Sequence, residues 1–300
     1  MFKGHFWLFL LFLIGCGWKD GERYYGAVFS EDGERVAVTF QKFQRKSGVT
    51  HTKRRQFQTR ILLAEDEGAY RELSEFVEGN VVDLYYQRNA GYLLMGRTGD
   101  QSEPEAGNRT NWVAYDMYDL TTGVQTPVED LTGITTLSCD GGMSAFQTPN
   151  LLRYIPNPEG TVLARFSLSI GCEAREYTVS FVEPTTLTQI GREYRVRDVA
   201  DGGENQVPLG SPLDLAWSED GFFAVLDWRN ITRLDHLEAV LYDPNGTEPS
   251  TREMHFECAS TPSLSHSRRP DGREVIVDSE SGELGFYRYE QASGYGCAGF

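Results

Sequence analysis

A short turn ending in glycine recurs along this chain, each time between two apolar runs, and that repetition restricts the fold more than any other feature. The copies are Ser30-Glu-Asp-Gly33, Arg88-Asn-Ala-Gly91, Asn157-Pro-Glu-Gly160, Ser218-Glu-Asp-Gly221 and Arg269-Pro-Asp-Gly272, with Cys139-Asp-Gly-Gly142 as a sixth candidate. Glycine supplies the positive φ that a short strand-to-strand turn demands, and a preceding Asp can bond the turn's own backbone. The fullest copy, Leu213 to Asp227, passes from an alternating strand through the turn into a Phe-, Val- and Leu-rich strand. It reads as a hairpin.

Turns of this kind lead into strands such as Arg35–Phe40, Tyr92–Met95, Val162–Phe166 and Glu274–Val277. Third strands follow at Thr59–Ala64, Asn111–Asp116, Tyr177–Val182, His236–Tyr242 and Leu284–Tyr289, each with a polar turn and a weaker fourth segment after it. Helical periodicity is scarce, and Tyr70 to Val77 is the best candidate for a helix. Four antiparallel strands repeating roughly every 50 residues predict an all-β chain whose units pack radially, because no single unit can cover its own apolar faces. A composition of 40% hydrophobic and 12% aromatic residues supplies the core such packing needs.

The Ser-Glu-Asp-Gly and Arg-Pro-Asp-Gly turns, each between a strand ending near an aromatic residue and a Val-, Ala- or Ile-rich strand, resemble the repeats of TolB-type, WD-like β-propellers. The likeness covers Tyr24 to Tyr289 and is most specific at Gly33, Gly221 and Gly272. It implies that residues 24–300 form a β-propeller of about five four-stranded blades, or about six if the segment from Ile134 to Pro149 is a blade rather than an extra hairpin. A two-sheet sandwich is the alternative arrangement of the same strands. In a propeller the first strand of each blade lines the central channel. Aligning the units on their turn glycines brings Gly26, Arg153, Asp214 and Ser265 to one position there, with Asp83 joining them if its turn is one residue longer. Such a ring presents convergent polar groups to a cation, a sugar or a peptide terminus, or serves only to hydrate the channel.

Residues 1–15 are of a different character. Lys3 is followed by Phe6 to Ile14, an unbroken aromatic and aliphatic run too short to cross a bilayer. Leu13-Ile14-Gly15-Cys16 resembles the lipobox of bacterial lipoprotein signal peptides, which implies that Cys16 is acylated and begins the mature chain, with residues 16–23 as a short tether. An ordinary secretory signal cleaved slightly further on is the plainer reading. Removing Cys16 leaves Cys139, Cys172, Cys258 and Cys297, an even number in an exported chain, so two disulfides are expected. Sequence neighbours, Cys139 with Cys172 and Cys258 with Cys297, are the favoured pairing. Four buried thiols or a zinc site are the alternatives, and no Cys-x-x-Cys pair supports zinc.

The formal net charge is −16, with 44 Asp and Glu against 28 Lys and Arg, which argues against nucleic acid as a partner. That charge is unevenly distributed. No acidic residue lies between Gln41 and Ala64, whereas Lys42, Arg45, Lys46, Lys53, Arg54, Arg55 and Arg60 all do. Setting these and Lys3 aside leaves 20 basic residues against all 44 acidic ones, a balance of −24. Because the flanks read as strands of the first blade, the segment is expected to be a long hairpin loop near the anchor, attractive to anionic lipid or glycan. A solvated loop that merely offsets the acidic body fits the same composition.

Catalytic signatures are missing: the chain has no His-Glu-x-x-His, no Gly-x-Ser-x-Gly, no P-loop and no dinucleotide-binding glycine run. No cofactor or metal is expected. The sequence thus predicts a lipid-anchored bacterial envelope β-propeller acting as a non-enzymatic scaffold for an envelope protein partner. Gly17 and Trp18, rather than Asp, follow Cys16, and the practice of bacterial lipoproteins then favours the outer membrane. The alternative is a carbohydrate-binding or glycoside-hydrolase-like propeller using Asp83 and Asp214 at the channel mouth.

Overall fold

The structure, a computed structural model, describes residues 18–47, 52–65, 69–102, 109–134, 136–138, 144–146, 151–170, 174–199, 214–218, 220–233, 236–255 and 273–288. The described residues form strands, turns and bends, with no helix among them. A first sheet has the order β1 (Lys19–Phe29), β2 (Val36–Ser47), β3 (Thr52–Ala64), β4 (Tyr70–Glu72), with β5 (Val77–Glu78) also on β3. The second comprises β6 (Asn80–Gln87), β7 (Tyr92–Ser102), β8 (Arg109–Asp119) and β9 (Gln125–Ile134). After a small hairpin of β10 (Thr136–Ser138) and β11 (Ser144–Phe146), the third holds β12 (Leu151–Pro156), β13 (Leu163–Ile170), β14 (Ala174–Val182) and β15 (Gln189–Val199). The fourth is β16 (Asp214–Trp217), β17 (Phe223–Arg233), β18 (His236–Tyr242) and β19 (Ser250–His255), and β20 (Arg273–Val277) pairs with β21 (Leu284–Arg288). In each four-stranded sheet the strands pair antiparallel in chain order.

The glycine turns explain this regularity. Gly33, Gly91, Gly160 and Gly221 adopt φ between 69° and 81° and donate their N–H to the carbonyls of Ser30, Arg88, Asn157 and Ser218. At Gly160 the requirement is double, since a Cβ would also lie 2.7 Å from that of Ala90 and 2.8 Å from Gln87 Oε1. The residue opening the turn accepts backbone N–H groups in return: Arg35 donates to Ser30 Oγ, Thr161 and Val162 to Asn157 Oδ1, and Phe222 to Ser218 Oγ. Arg88 has no such oxygen, and its turn leans on the first sheet instead. The N–H groups of Arg88 and Asn89 donate to the Glu31 carboxylate, and the Arg88 guanidinium meets Asp32 at 2.8 Å and Glu34 at 3.0 Å.

The second strand of each of the first three sheets is apolar on both faces, and alternate residues serve different neighbours. Ala37 packs toward Leu93 and Met95 of the second sheet, while Val36 and Val38 pack with Val275 of β20. Tyr92 and Leu94 meet Leu152 and Leu163 of the third sheet, and Phe166 and Phe181 meet Trp217 and Phe223 of the fourth. Each such buried side chain contributes about 1.5–3 kcal/mol. The last strand pair returns to the first sheet. Tyr24 N–H donates to the Ser279 carbonyl at 3.0 Å, and the Tyr70 hydroxyl donates to that of Gly282. Glycine is required at 282, where a Cβ would lie 2.5 Å from the Tyr24 ring.

Two expectations fail. Tyr70 to Val77 is not a helix: it holds β4 and β5, and between them Leu73 N–H donates to the Ile61 carbonyl while Ser74 Oγ accepts from Ile61 N–H. Pairing with β3 overrides the local period. Nor is the basic segment a loop. β2 runs on to Ser47 and β3 begins at Thr52, so the residues from Lys42 to Arg60 lie largely on paired strands. Phe43 and Phe57 stack across these strands at 5.7 Å, and Gly21 on β1 leaves room for the Phe43 ring. These aromatic contacts keep the strands paired beyond the body of the sheet.

Candidate functional site

The residues predicted to share a channel position do so only in part. Phe29 pairs with Val36, Gln87 with Tyr92, Pro156 with Leu163 and Trp217 with Phe223 next to the four turns. Stepping back along each strand from those pairs reaches Gly26 opposite Thr39, Leu84 opposite Met95, Arg153 opposite Phe166 and Asp214 opposite Leu226. The second turn carries no extra residue, so Leu84 holds the equivalent position and Asp83 lies one residue away. The side chain of Asp214 and all of Ser265 lie outside the described residues. So do Cys16, Cys139, Cys172, Cys258 and Cys297.

Asp83 and Arg153 nevertheless meet. The Arg153 guanidinium donates to Asp83 Oδ1, and the Tyr115 hydroxyl donates to Asp83 Oδ2 with the Leu152 carbonyl 3.3 Å from the same hydroxyl. Asp83, Gly96 and Tyr115 form one row across β6, β7 and β8. A Cβ at Gly96 would sit 2.7 Å from the Tyr115 ring, so glycine there lets the ring reach across to the carboxylate. Burial, and then the Asp83 charge, push the Tyr115 hydroxyl well above its ordinary pKa. Loss of solvent works against the charge of Arg153, but Asp83 outweighs it and holds the guanidinium above its usual value. Both carboxylate oxygens are occupied, and this is a charge spent on the seam between two sheets.

The basic segment is built differently. β1, β2 and β3 extend together as a ribbon in which Lys19 pairs with Arg45, Arg45 with Arg54, and Lys46 with Lys53. Lys42 is matched by Glu22 at 3.5 Å, and Arg60 by Glu72. Among the described residues no acidic side chain pairs with Arg45, Lys46, Arg54 or Arg55. Two of these cations lean on rings and amides instead: Arg55 lies 4.0 Å from the Trp18 ring centre and donates to Gln44 Oε1, and Arg54 lies 5.3 Å from that of Phe43. Nearer the body, Arg23 stands 4.1 Å over Tyr25 and donates to Gln41. Burial, followed by the Arg54 charge, pulls Arg23 below its ordinary pKa.

The polar turns expected after the third strands share a bonding pattern that the sequence reading did not extract. After the third strands of the second and third sheets, Asp119 Oδ1 accepts the N–H groups of Thr121 and Thr122 and the Glu183 carboxylate those of Thr185 and Thr186, and between β20 and β21 Asp278 Oδ1 accepts those of Glu280 and Ser281. The recurring Asp119-Leu-Thr-Thr, Glu183-Pro-Thr-Thr and Asp278-Ser-Glu-Ser spacings are the signal that finds it. A cleft of about 430 Å³ opens between two of these turns, lined by Tyr92, Met117, Asp119, Thr161 and Glu183. Its carboxylates already accept hydrogen bonds from their own turns. Among the described residues no group of three or more His, Cys, Asp or Glu side chains could hold a metal ion.

No protein-family model matches the chain, and no curated protein matches it in sequence.

Proposed function

We propose that this protein is a lipid-anchored β-propeller of a bacterial cell envelope, whose sheets follow one another round a ring and which docks an envelope protein without catalysing a reaction. The observation that carries the ring is the return of β20 and β21 to the first sheet through Val275, Ser279 and Gly282. Apolar seams in chain order, first to second, second to third and third to fourth sheet, support it as well. A sandwich would instead face one sheet against one other. Among the described residues there are six sheets, four of four or five strands and the two-stranded β10–β11 and β20–β21, which agree with a propeller of about five blades if β10–β11 is an extra hairpin and of about six if it is a blade.

The anchor is proposed from Phe6–Ile14 and Cys16, and the outer membrane from Gly17 and Trp18. A scaffold role is supported by Asp83, whose carboxylate serves Arg153 and Tyr115 and so is unsuited to activating water or a sugar. That geometry does not favour the glycoside-hydrolase alternative. The test has two parts. Particle images of the purified protein should show a disc with a central hole, and two stacked layers would overturn the ring. Mass spectrometry should find acyl chains on Cys16, and Cys16→Ser should leave the membrane fraction. Crosslinking of the acylated protein in cells should then recover one envelope protein repeatedly.

A further inference from the structure

We propose that the tip of the β1–β2–β3 ribbon docks end-on into the headgroup layer of an anionic phospholipid membrane and so fixes how the body stands on it. Five cations crowd this tip, Lys19, Arg45, Lys46, Arg54 and Arg55, against the single acidic residue Asp20. Two features of their arrangement point to lipid. Lys19, Arg45 and Arg54 share one face of the ribbon, while Arg55, bonded to Gln44, stands on the other. An acidic protein surface or a linear polyanion would engage one face. A headgroup layer that surrounds the tip engages both. Trp18 lies at this same end, stacked under Arg55, and an indole beside cations suits the membrane–water interface.

The direction of docking rests on the anchored reading of Cys16. Only Gly17 and Trp18 separate it from Lys19, so the chain between the two spans three residue steps, at most about 11 Å. That is close to the Debye length of about 8–10 Å at physiological salt. An acylated Cys16 therefore holds the tip within reach of lipid phosphates. Each basic residue near an anionic surface adds favourable attraction, and a lipid chain plus a polybasic patch is a sufficient pair of signals for firm attachment.

The experiment reconstitutes the full-length protein into vesicles of phosphatidylcholine or of phosphatidylglycerol and follows tryptic cleavage after Lys53, a site that none of the variants below removes. Slower cleavage on phosphatidylglycerol than on phosphatidylcholine is expected at about 0.1 M salt, with the difference lost at about 1 M. Arg45→Gln with Arg54→Gln removes two surface charges and should weaken this docking about 30-fold. Lys46→Gln with Arg55→Gln, altering the other face, should do the same. Equal cleavage on both lipids, with the protein still floating on phosphatidylcholine, overturns the docking and leaves the anchor standing. Failure to float on phosphatidylcholine, with protection still seen on phosphatidylglycerol, overturns the anchor and leaves the docking. Protection by a soluble anionic polysaccharide but by neither vesicle assigns the tip to glycan and overturns the proposal.

Discussion

The seam between the second and third sheets and the β1–β3 ribbon handle charge in opposite ways. At the seam every guanidinium has a carboxylate: Arg153 meets Asp83, and Arg165 holds Glu129 through two bonds of 2.6 and 2.7 Å with the Tyr154 hydroxyl donating to the same group. Burial alone would raise the Glu129 pKa, but Arg165 and Tyr154 outweigh it and keep the carboxyl below its ordinary value. In the ribbon Arg45 faces Arg54 and Lys46 faces Lys53, so like charges oppose each other across adjacent strands. Desolvated charge must be paired, because an unpaired one costs several kcal/mol. An exposed strand is under no such constraint, and opposed like charges there cost only about 0.2–1 kcal/mol per pair. Paired charge therefore marks what the fold needs, and unpaired charge marks what it tolerates for another purpose.

The strongest way to break this comparison is at Asp83. Asp83→Ala leaves Arg153 facing a partly desolvated site and Tyr115 without its acceptor, and should lower stability by about 3 kcal/mol. That is the lower end for a buried pair, because Arg153 keeps 31% of its side-chain exposure. Urea denaturation reads the loss. Adding Arg153→Met should recover part of it, since the stranded charge is then gone. A double variant less stable than the single one would show that the two residues hold the seam independently rather than as a pair.

Much of the sheet pattern was legible in the sequence because glycine turns and period-two apolar runs are local signals. The strands expected at Tyr92–Met95 and Tyr177–Val182 lie within β7 and β14, and that expected at Arg35–Phe40 lies in β2 except for Arg35, one residue before its start. Arg153 was legible from its spacing to the turn glycine, but Asp83 was grouped with it only on the condition of a longer turn, which the second sheet does not have. Asp83 sits one residue off the expected position, and it reaches Arg153 because Gly96 makes room for Tyr115, a relation between three strands that no local pattern carries. The ribbon was misread for a similar reason. Lys, Arg, Gln and Thr dominate Gln41 to Thr59, so composition reads as loop, whereas cross-strand stacking of Phe43 on Phe57 makes it sheet.

The turn carboxylates give a smaller, pH-dependent test of the paired regions. Bonds from Thr186 hold Glu183 down at about 2, and bonds from Thr122 and Ser281 lower Asp119 and Asp278. Folded values below the unfolded ones mean that this stabilisation is complete above the unfolded pKa, near 4, and drains away as pH falls toward about 2. Urea midpoints should therefore hold from neutral pH to about pH 5 and decline below it. Thr186→Val, which keeps the backbone N–H but removes the hydroxyl, should raise the folded pKa of Glu183 toward its unfolded value and so shrink that decline. Its readout is the carboxyl carbon shift followed by NMR titration, and an unmoved titration would show that the backbone N–H alone sets the value.

The smallest effect carries the sharpest contrast. Arg54→Glu converts the Arg45–Arg54 opposition into an attractive cross-strand pair, so it should stabilise the protein by about 0.2–1 kcal/mol while removing cationic charge from the ribbon tip. Substitution of a surface Arg by Glu in an acidic protein of net charge −16 would ordinarily add repulsion and lower stability slightly. The two views differ in sign, and a thermal midpoint resolves them: a rise means that the local opposition dominates, a fall means that the global charge does. Exposed pairs are screened, so the gain should shrink as salt is raised. A variant that is more stable yet no longer protected on phosphatidylglycerol would separate folding from binding at one residue. The like-charge rows of the ribbon would then be a stability cost retained because the tip has to remain positive.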